Sequence, residues 1–490
     1  TYLNTLDKKA VDRFIEVTHE SYLKKVGTDF GEAVPAIFTD EPQFTGKATL
    51  RFGLEERDIT LPWTDDLPET FQEAYSEDLV DSLPELIWDL PDSRVSTVRY
   101  HYHDHVTERF VEAFADSCGN WCFNHNIALT GHVMAESTLG SQTSMVGEAM
   151  RCYRKFGLPG IDMLCDWREY TTAKQAQSAV HQYGREGMTS ELYGVTNWDF
   201  DFRGHKLQGD WQAALGVTVR VPHLSWVSMG GEAKRDYPAS INYQSPWYQE
   251  YSYIEDHFAR LNTALTRGTP IVKVGVIHPI ESYWLHWGPS EQTALDREQL
   301  DNNFQDLTKW LLFGAIDFDF IAESLLPEQC GEGGAPLRVG KMAYDAIVVP
   351  GCETLRSSTL DRLEAFRKAG GKLIFMGDAP KYENAVPSSR GKKLFDSSIQ
   401  VSFGRSSILK ALDDCRTIDI RNEKGNYTED LFYQMRQDGD KKWLFIAHAS
   451  LPKPRETAAA QNIIINIRGE YAPTLYDTLT GEISSIPYSH

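Results

Sequence analysis

Apolar residues at Val11, Phe14, Ile15, Tyr22 and Leu23 recur at helical spacing until Gly27 stops the pattern. A short apolar run, Val34-Pro35-Ala36-Ile37-Phe38, follows and ends in Thr39-Asp40-Glu41-Pro42. Long amphipathic stretches near 68–90 and 94–120 come next. Three further runs then read as buried strands: Ile127-Ala128-Leu129-Thr130-Gly131-His132, Gly160-Ile161-Asp162-Met163-Leu164, and 187–190, which leads into Glu191. A helix at 173–183 separates the last two, and a fifth strand, 217–221, ends in Pro222-His223-Leu224-Ser225-Trp226.

Short apolar strands alternating with helices predict βα units around a parallel sheet. Polar and aromatic residues gather just after each strand, where (β/α)8 TIM barrels build their sites. Five strands against eight in a closed barrel predict that three strands precede Thr1. A second α/β unit begins at Ile271-Val272-Lys273-Val274-Gly275-Val276-Ile277. It runs through a helix at 300–313, strands at 317–321 and 344–350, a helix at 360–369 and a strand at 372–377, a doubly wound pattern. Beyond about residue 400 short β segments such as 443–447 and 462–467 predict a β-rich, sandwich-like tail. The expected division is a partial barrel over 1–268, the α/β unit over 269–400 and the β-rich segment over 401–490.

Composition narrows the partners. The 490 residues carry 49 Lys plus Arg against 70 Asp plus Glu, a net charge of −21. That balance speaks against nucleic acid or an anionic membrane as partner, and no apolar run is long enough to span a bilayer. Aromatic residues at 12% suit a carbohydrate cleft as well as an ordinary core. Seven Cys without regular spacing make no disulfide framework; reduced thiols point to the cytoplasm. A leader upstream of Thr1, and so secretion, stays open, and Asn426-Tyr427-Thr428 is an acceptor sequon for glycosylation.

Glu41 after the first strand and Glu191 after the fourth are the candidate catalytic pair. Two carboxyls at barrel strand ends can face one sugar: one protonates the leaving oxygen, the other attacks the anomeric carbon or activates water. Glu136 is the rival for the second role. Asp40, His132, Asp162, Asp166 and His223 are candidates to bond sugar hydroxyls, and Trp167, Trp198 and Trp226 to stack on a ring face. Asp199 and Asp201 add carboxylates near the Glu191 loop. His101, His103 and His105 do not share one helical face, so no metal site is expected there. Gly331-Glu332-Gly333-Gly334 lacks the Lys of a phosphate loop.

Phe38-Thr39-Asp40-Glu41-Pro42 resembles the acid-bearing segment of clan A barrel glycoside hydrolases, which place the acid after strand four and the second carboxylate after strand seven. With the first visible strand as the fourth, Glu191 falls on the seventh and Trp226 follows the eighth. The α/β unit resembles the amidotransferase-like domain behind the barrel of family 42 β-galactosidases. Cys352 lies where an amidotransferase keeps its nucleophile, without the partner string, and is expected to be structural. Thr18-His19-Glu20-Ser21-Tyr22 and the FTDEP string resemble family 106 α-L-rhamnosidases. The resemblance spans about residues 1–380. It implies a glycosidase with a carbohydrate substrate, rhamnosidase-like first, with a β-galactosidase-like hydrolase or a non-catalytic carbohydrate-binding barrel as alternatives. Asp40, where galactosidases usually carry Asn, counts against the galactosidase. No organic cofactor is implied. Family 106 implies a calcium ion near the barrel, and family 42 a homo-oligomer.

Overall fold

The computed structural model describes residues 2–490 except 233, 235, 236, 239, 240 and 450–460. Five parallel strands, β1 (Ala36–Thr39), β2 (Ala128–Gly131), β3 (Leu158–Met163), β4 (Met188–Leu192) and β5 (Val217–Pro222), pair in sequence order as an arc of a barrel. Leu129, Ile161 and Met163 point to the helical side and are buried in the main core. The opposite face is open along its edges: Phe38 is 37% and Val219 40% exposed. Gly131, paired with Thr39, sits at φ 112°, and a Cβ there would collide with the Thr39 carbonyl oxygen.

The helices break where local chemistry breaks them. The N-terminal pattern divides into Lys8–Val17 and His19–Val26, because the Thr18 hydroxyl bonds back to the Phe14 carbonyl. The stretch read near 68–90 divides into Leu67–Tyr75 and Leu83–Ile87: Ser76 adopts the left-handed conformation that ends the first, and Pro84 opens the second. The third stretch holds together as Thr97–Phe110, a π-helical segment Val111–Asp116, and Ser117–Asn124.

The second sheet comprises β6 (Val274–Ile277), β7 (Phe318–Ile321), β8 (Ala346–Pro350), β9 (Lys372–Met376) and β10 (Ile399–Val401), all parallel, in spatial order 7-6-8-9-10. This is a doubly wound order. Val276, Phe320, Val348 and Ile374 face the main core, whereas Ile277, Ile321, Val349 and Phe375 face a second core with Leu360, Leu363 and Phe366. β10 straddles position 400, and helix Arg405–Ala411 beyond it meets the long helix Ser290–Phe313. The C-terminal region forms small antiparallel sheets: β11 (Ile418–Asn422) with β14 (Ile463–Ile467), and β12 (Leu431–Asp438) with β13 (Lys441–His448). The segment Thr269–Pro270, just before the run into β6, pairs with β12.

Two contacts tie the arc to the second sheet. Helix Tyr170–Tyr183 is buried nearly all round although many of its residues are polar. It lies over the edge strand β7, where Ser178 Oγ accepts from the Phe320 N–H (2.8 Å) and Gln182 Nε2 donates to the Phe320 carbonyl (2.7 Å). His181 Nδ1 meets Asp319 Oδ1 at 2.8 Å and Lys174 Nζ meets Asp317 Oδ1 at 2.8 Å. Elsewhere Asp104 on the barrel helix Thr97–Phe110 is held by Arg151 Nη2 (2.8 Å) and by Arg356 Nη2 (2.6 Å) from the second unit. Arg356 Nε also meets Glu281 Oε1 at 2.6 Å. The Asp104 carboxyl is held far below its ordinary range by these guanidiniums despite its burial. Asp104→Asn takes a shared counter-charge from the buried Arg151 and the half-buried Arg356, so a loss of about 3 kcal/mol is expected. Denaturant unfolding checks this; a loss under about 0.5 kcal/mol, typical of a surface change, would contradict it.

Candidate active site

In a parallel ladder, paired residues present their side chains on the same face, and the face alternates with period two. Phe38 pairs with Thr130, Thr130 with Leu158, Asp162 with Glu191, and Glu191 with Val221. Continuing each strand by that period puts Asp40, His132, Asp162, Glu191 and His223 on the inner face at its C-terminal edge. A register shift between Met188 and Thr189 matters here. It pairs Thr189 with Val219, so β5 comes into phase and His223 reaches Glu191.

His132 is the hub of the group. Its Nε2 lies 3.2 Å from Asp40 Oδ1 and 4.0 Å from Asp162 Oδ2, and its Nδ1 4.0 Å from Glu191 Oε2. His223 Nε2 lies 3.9 Å from Glu191 Oε1. The Phe38 ring packs edge-on against His132 with centroids 5.6 Å apart. His132 Nδ1 and Asp162 Oδ1 are buried with no hydrogen-bond partner among the described residues. Polar atoms buried in that way suit a ligand rich in hydroxyls.

Burial and like charge set the protonation. Burial pushes the Asp162 carboxyl up to about 8, with Glu191, Glu41 and Asp40 adding to it. Burial likewise raises Glu191 to about 7, with help from Asp40 and Glu41. The Glu41 carboxyl rises for the same two reasons, burial and then Asp40. Burial lowers His132 and His223, so their imidazoles stay neutral near pH 7.

The strand-end loops are strained. Glu41 (φ 47°), Ala135 (φ 60°), Cys165 (φ 53°), Tyr193 (φ 73°) and the β-branched Val195 (φ 58°) all adopt left-handed backbone. Each such residue costs about 1–3 kcal/mol and persists only where its surroundings enforce it. All five lie in the loops that follow β1 to β4.

The other candidates fall outside this group. Glu136 is 6% exposed and bonded by the Tyr153 hydroxyl and the Val133 N–H, each at 3.3 Å. Burial raises it to about 8, and the carboxylate that adds to the rise is Glu169. Asp166 pairs with Arg168 at 3.2 Å. Asp201 caps the helix Phe202–Ala214. Trp167 and Trp198 stand exposed on the β3 and β4 loops. Trp226 is half-buried, its indole N–H donating to the Tyr237 carbonyl. His101, His103 and His105 turn to Glu77, Lys47 and Thr70, three separate partners. Cys352 is buried, and burial beside Glu323 and Glu281 pushes its thiol well up, which disarms it as a nucleophile. One neighbour escaped the sequence reading: Tyr2, whose hydroxyl is raised by burial and by the charges of Asp40 and Glu41. Nothing in its local pattern marks it.

Asp40, Glu41 and His132 offer ligand atoms within 4.8 Å of one another. Calcium takes six to eight oxygens, and two carboxylates with an imidazole do not fit that shell.

The architecture is shared with known proteins. Over 98% of the chain, it superposes on a rhamnosidase from Novosphingobium sp. with a TM-score of 0.71 at 18% identity. The chain spans 45% of that protein's length. A GH42 β-galactosidase from G. stearothermophilus, in a catalytic mutant, matches 86% of the chain and 73% of its own, with TM-score 0.58 and 11% identity. An exo-carrageenase of GH42 from Bacteroides ovatus matches 91% of the chain and 63% of its own, with TM-score 0.58 and 12% identity. The fold is that of barrel glycosidases. No protein-family model and no curated protein matches the chain.

Asp162 offers a direct check on the electrostatics. Its folded pKa of about 8 lies above the ordinary 3.8, so the proton it binds stabilises the fold fully below about pH 4. That contribution fades as pH rises to about 8. Relative to Asp162→Asn, the wild type therefore loses stability across that window, as unfolding midpoints at several pH values should read. Parallel profiles would refute the shift.

Proposed function

We propose that the chain carries the catalytic face of a glycoside hydrolase, with Glu41 and Glu191 as its two working carboxyls. The observation that carries this reading is the gathering of four carboxyls and two neutral imidazoles on one barrel edge, two of the carboxyls with pKa values near or above neutral. Carboxyls of that kind, held apart in protonation, are what cleavage of a glycosidic bond uses. Glu41 protonates the leaving oxygen; Glu191 attacks the anomeric carbon or activates water. His132, Asp162 and His223 hold the sugar's hydroxyls, and Trp167 and Trp198 stack against more distant units.

An α-L-rhamnoside is the substrate we infer, since the rhamnosidase superposition is fuller than those with the galactosidase or the carrageenase. The doubly wound unit serves as a support rather than a second catalyst, a reading supported by the buried, raised Cys352 thiol. One observation favours a second reading, with the roles exchanged: the Glu191 carboxyl, at about 7, is itself fit to carry the proton.

A panel of aryl glycosides including α-L-rhamnoside and β-D-galactoside tests the assignment. Glu41→Gln and Glu191→Gln are each expected to lower kcat by about 100-fold or more. With a dinitrophenyl leaving group, which needs no protonation, the acid's variant should recover and the other should not. Recovery by Glu191→Gln instead would exchange the roles. Retention of turnover within a few-fold by both variants would end the reading.

A further inference from the structure

Away from the carboxyl cluster, a cavity of about 520 Å³ opens where the strand entering β6, the hairpin 337–344 and the C-terminal strands meet. Its lining includes the cations Lys273, Lys341, Arg416, Lys442 and Arg468 and a single acid, Asp345. These cations do not form a run. Lys273 precedes β6, Lys341 sits in the hairpin turn, Lys442 lies on β13, and Arg416 and Arg468 flank β11 and β14. In a chain where acids outnumber cations 70 to 49, such a gathering runs against the composition.

The site has a built element. Arg416 is 5% exposed, its guanidinium stacked 4.9 Å from the Tyr427 centroid, with Nη1 donating to the Gly314 carbonyl. Asp413 lies 3.3 Å from Arg416 Nε and 4.0 Å from Arg468 Nη2, and offsets only part of this charge. Lys273, Lys341 and Lys442 form no ion pair with an acid among the described residues; Lys442 lies over the Tyr471 ring at 4.7 Å. An anion entering this cavity meets five lining cations against a single lining acid, a balance that favours its binding. A lone phosphate or sulfate fills little of this space, which falls within the roughly 300–1,000 Å³ of small-molecule sites. The ligand that fits is larger and carries more than one oxyanion.

We propose that this cavity binds a saccharide bearing two or more carboxylate or sulfate groups, at a site separate from the barrel's carboxyls. The saccharide part rests on the glycosidase reading; the anionic part rests on the cavity alone.

Calorimetric titration of the full chain at low salt tests it, with trigalacturonate, a trisulfated disaccharide, uncharged maltotriose and inorganic phosphate as separate probes. The expected result is saturable binding of an acidic saccharide, no binding of maltotriose, and phosphate at least tenfold weaker. Raised salt should weaken the acidic saccharide, and a Lys273→Gln/Lys442→Gln variant should weaken it at least tenfold. Lys341→Gln, on an exposed turn, repeats the test should the double variant fail to fold by circular dichroism. The inference is overturned if neither acidic saccharide binds, if maltotriose or phosphate binds as well as they do, or if the lysine variants bind unchanged. Glu191→Gln, run alongside, should keep this binding while losing hydrolysis. Binding of an acidic saccharide by a wild type that cleaves no aryl glycoside of the panel would sink the glycosidase reading and leave the anion site standing.

Discussion

In-register pairing along β1 to β5 sends every second side chain to one face, and at the C-terminal edge those side chains are Asp40, His132, Asp162, Glu191 and His223. The polypeptide cannot separate them without losing the ladder. Asp40 and Glu41 bring carboxylate oxygens within 4.8 Å of one another, where two charges repel by about 3 kcal/mol or more at an effective dielectric of 20. The group therefore cannot be fully ionised at neutral pH, and its protons settle where burial is deepest. Burial raises the carboxyls, with like charge adding to it, and burial keeps the imidazoles neutral against the pull of Asp40.

Holding such a group still needs a rigid frame. The polar helix Tyr170–Tyr183 supplies much of it, because it covers the edge of the second sheet with Ser178 and Gln182 while its other side rests on β3. An uncovered edge strand would invite pairing with another chain; here the barrel itself closes it. The Asp104–Arg151–Arg356 cluster does the same work on another flank, joining barrel helix to second unit by charge. The left-handed residues at the strand ends are kept in place by this surrounding packing.

The strands of the arc were legible because each is a short apolar run closed by polar or turn residues, from Ile37-Phe38-Thr39 to Val219-Arg220-Val221. Glu41 and Glu191 were legible as strand-end carboxyls. Asp162 was visible only as a binding candidate, since its pairing with Glu191 depends on register, which no local pattern states. Glu136 shows the opposite failure: a carboxyl after a strand that turns inward to Tyr153 and Val133 rather than toward the cluster. The division at 76–82 hid inside an amphipathic pattern, because the left-handed Ser76 carries no strong signal. The edge strand β10 is too short and too exposed to read as a strand. The basic cavity is assembled from residues nearly 200 positions apart, beyond any reading of neighbours.

The order in which the crowded carboxyls lose protons bears on their roles. Burial raises Glu191 to about 7 and Asp162 to about 8, so both carboxyls change charge as pH passes through neutrality. Under the proposed roles an ionised Glu191 attacks or activates water, while a protonated Asp162 donates to a sugar oxygen. Glu41, raised by burial and by Asp40, then has to hold its proton against the same rise in pH. A sugar entering the face would displace water from around it and raise it further, since desolvation disfavours the carboxylate. Desolvation by a bound sugar raises Glu41 and Glu191 alike, so in the proposed reaction the proton goes to whichever of the two carboxyls faces the leaving oxygen.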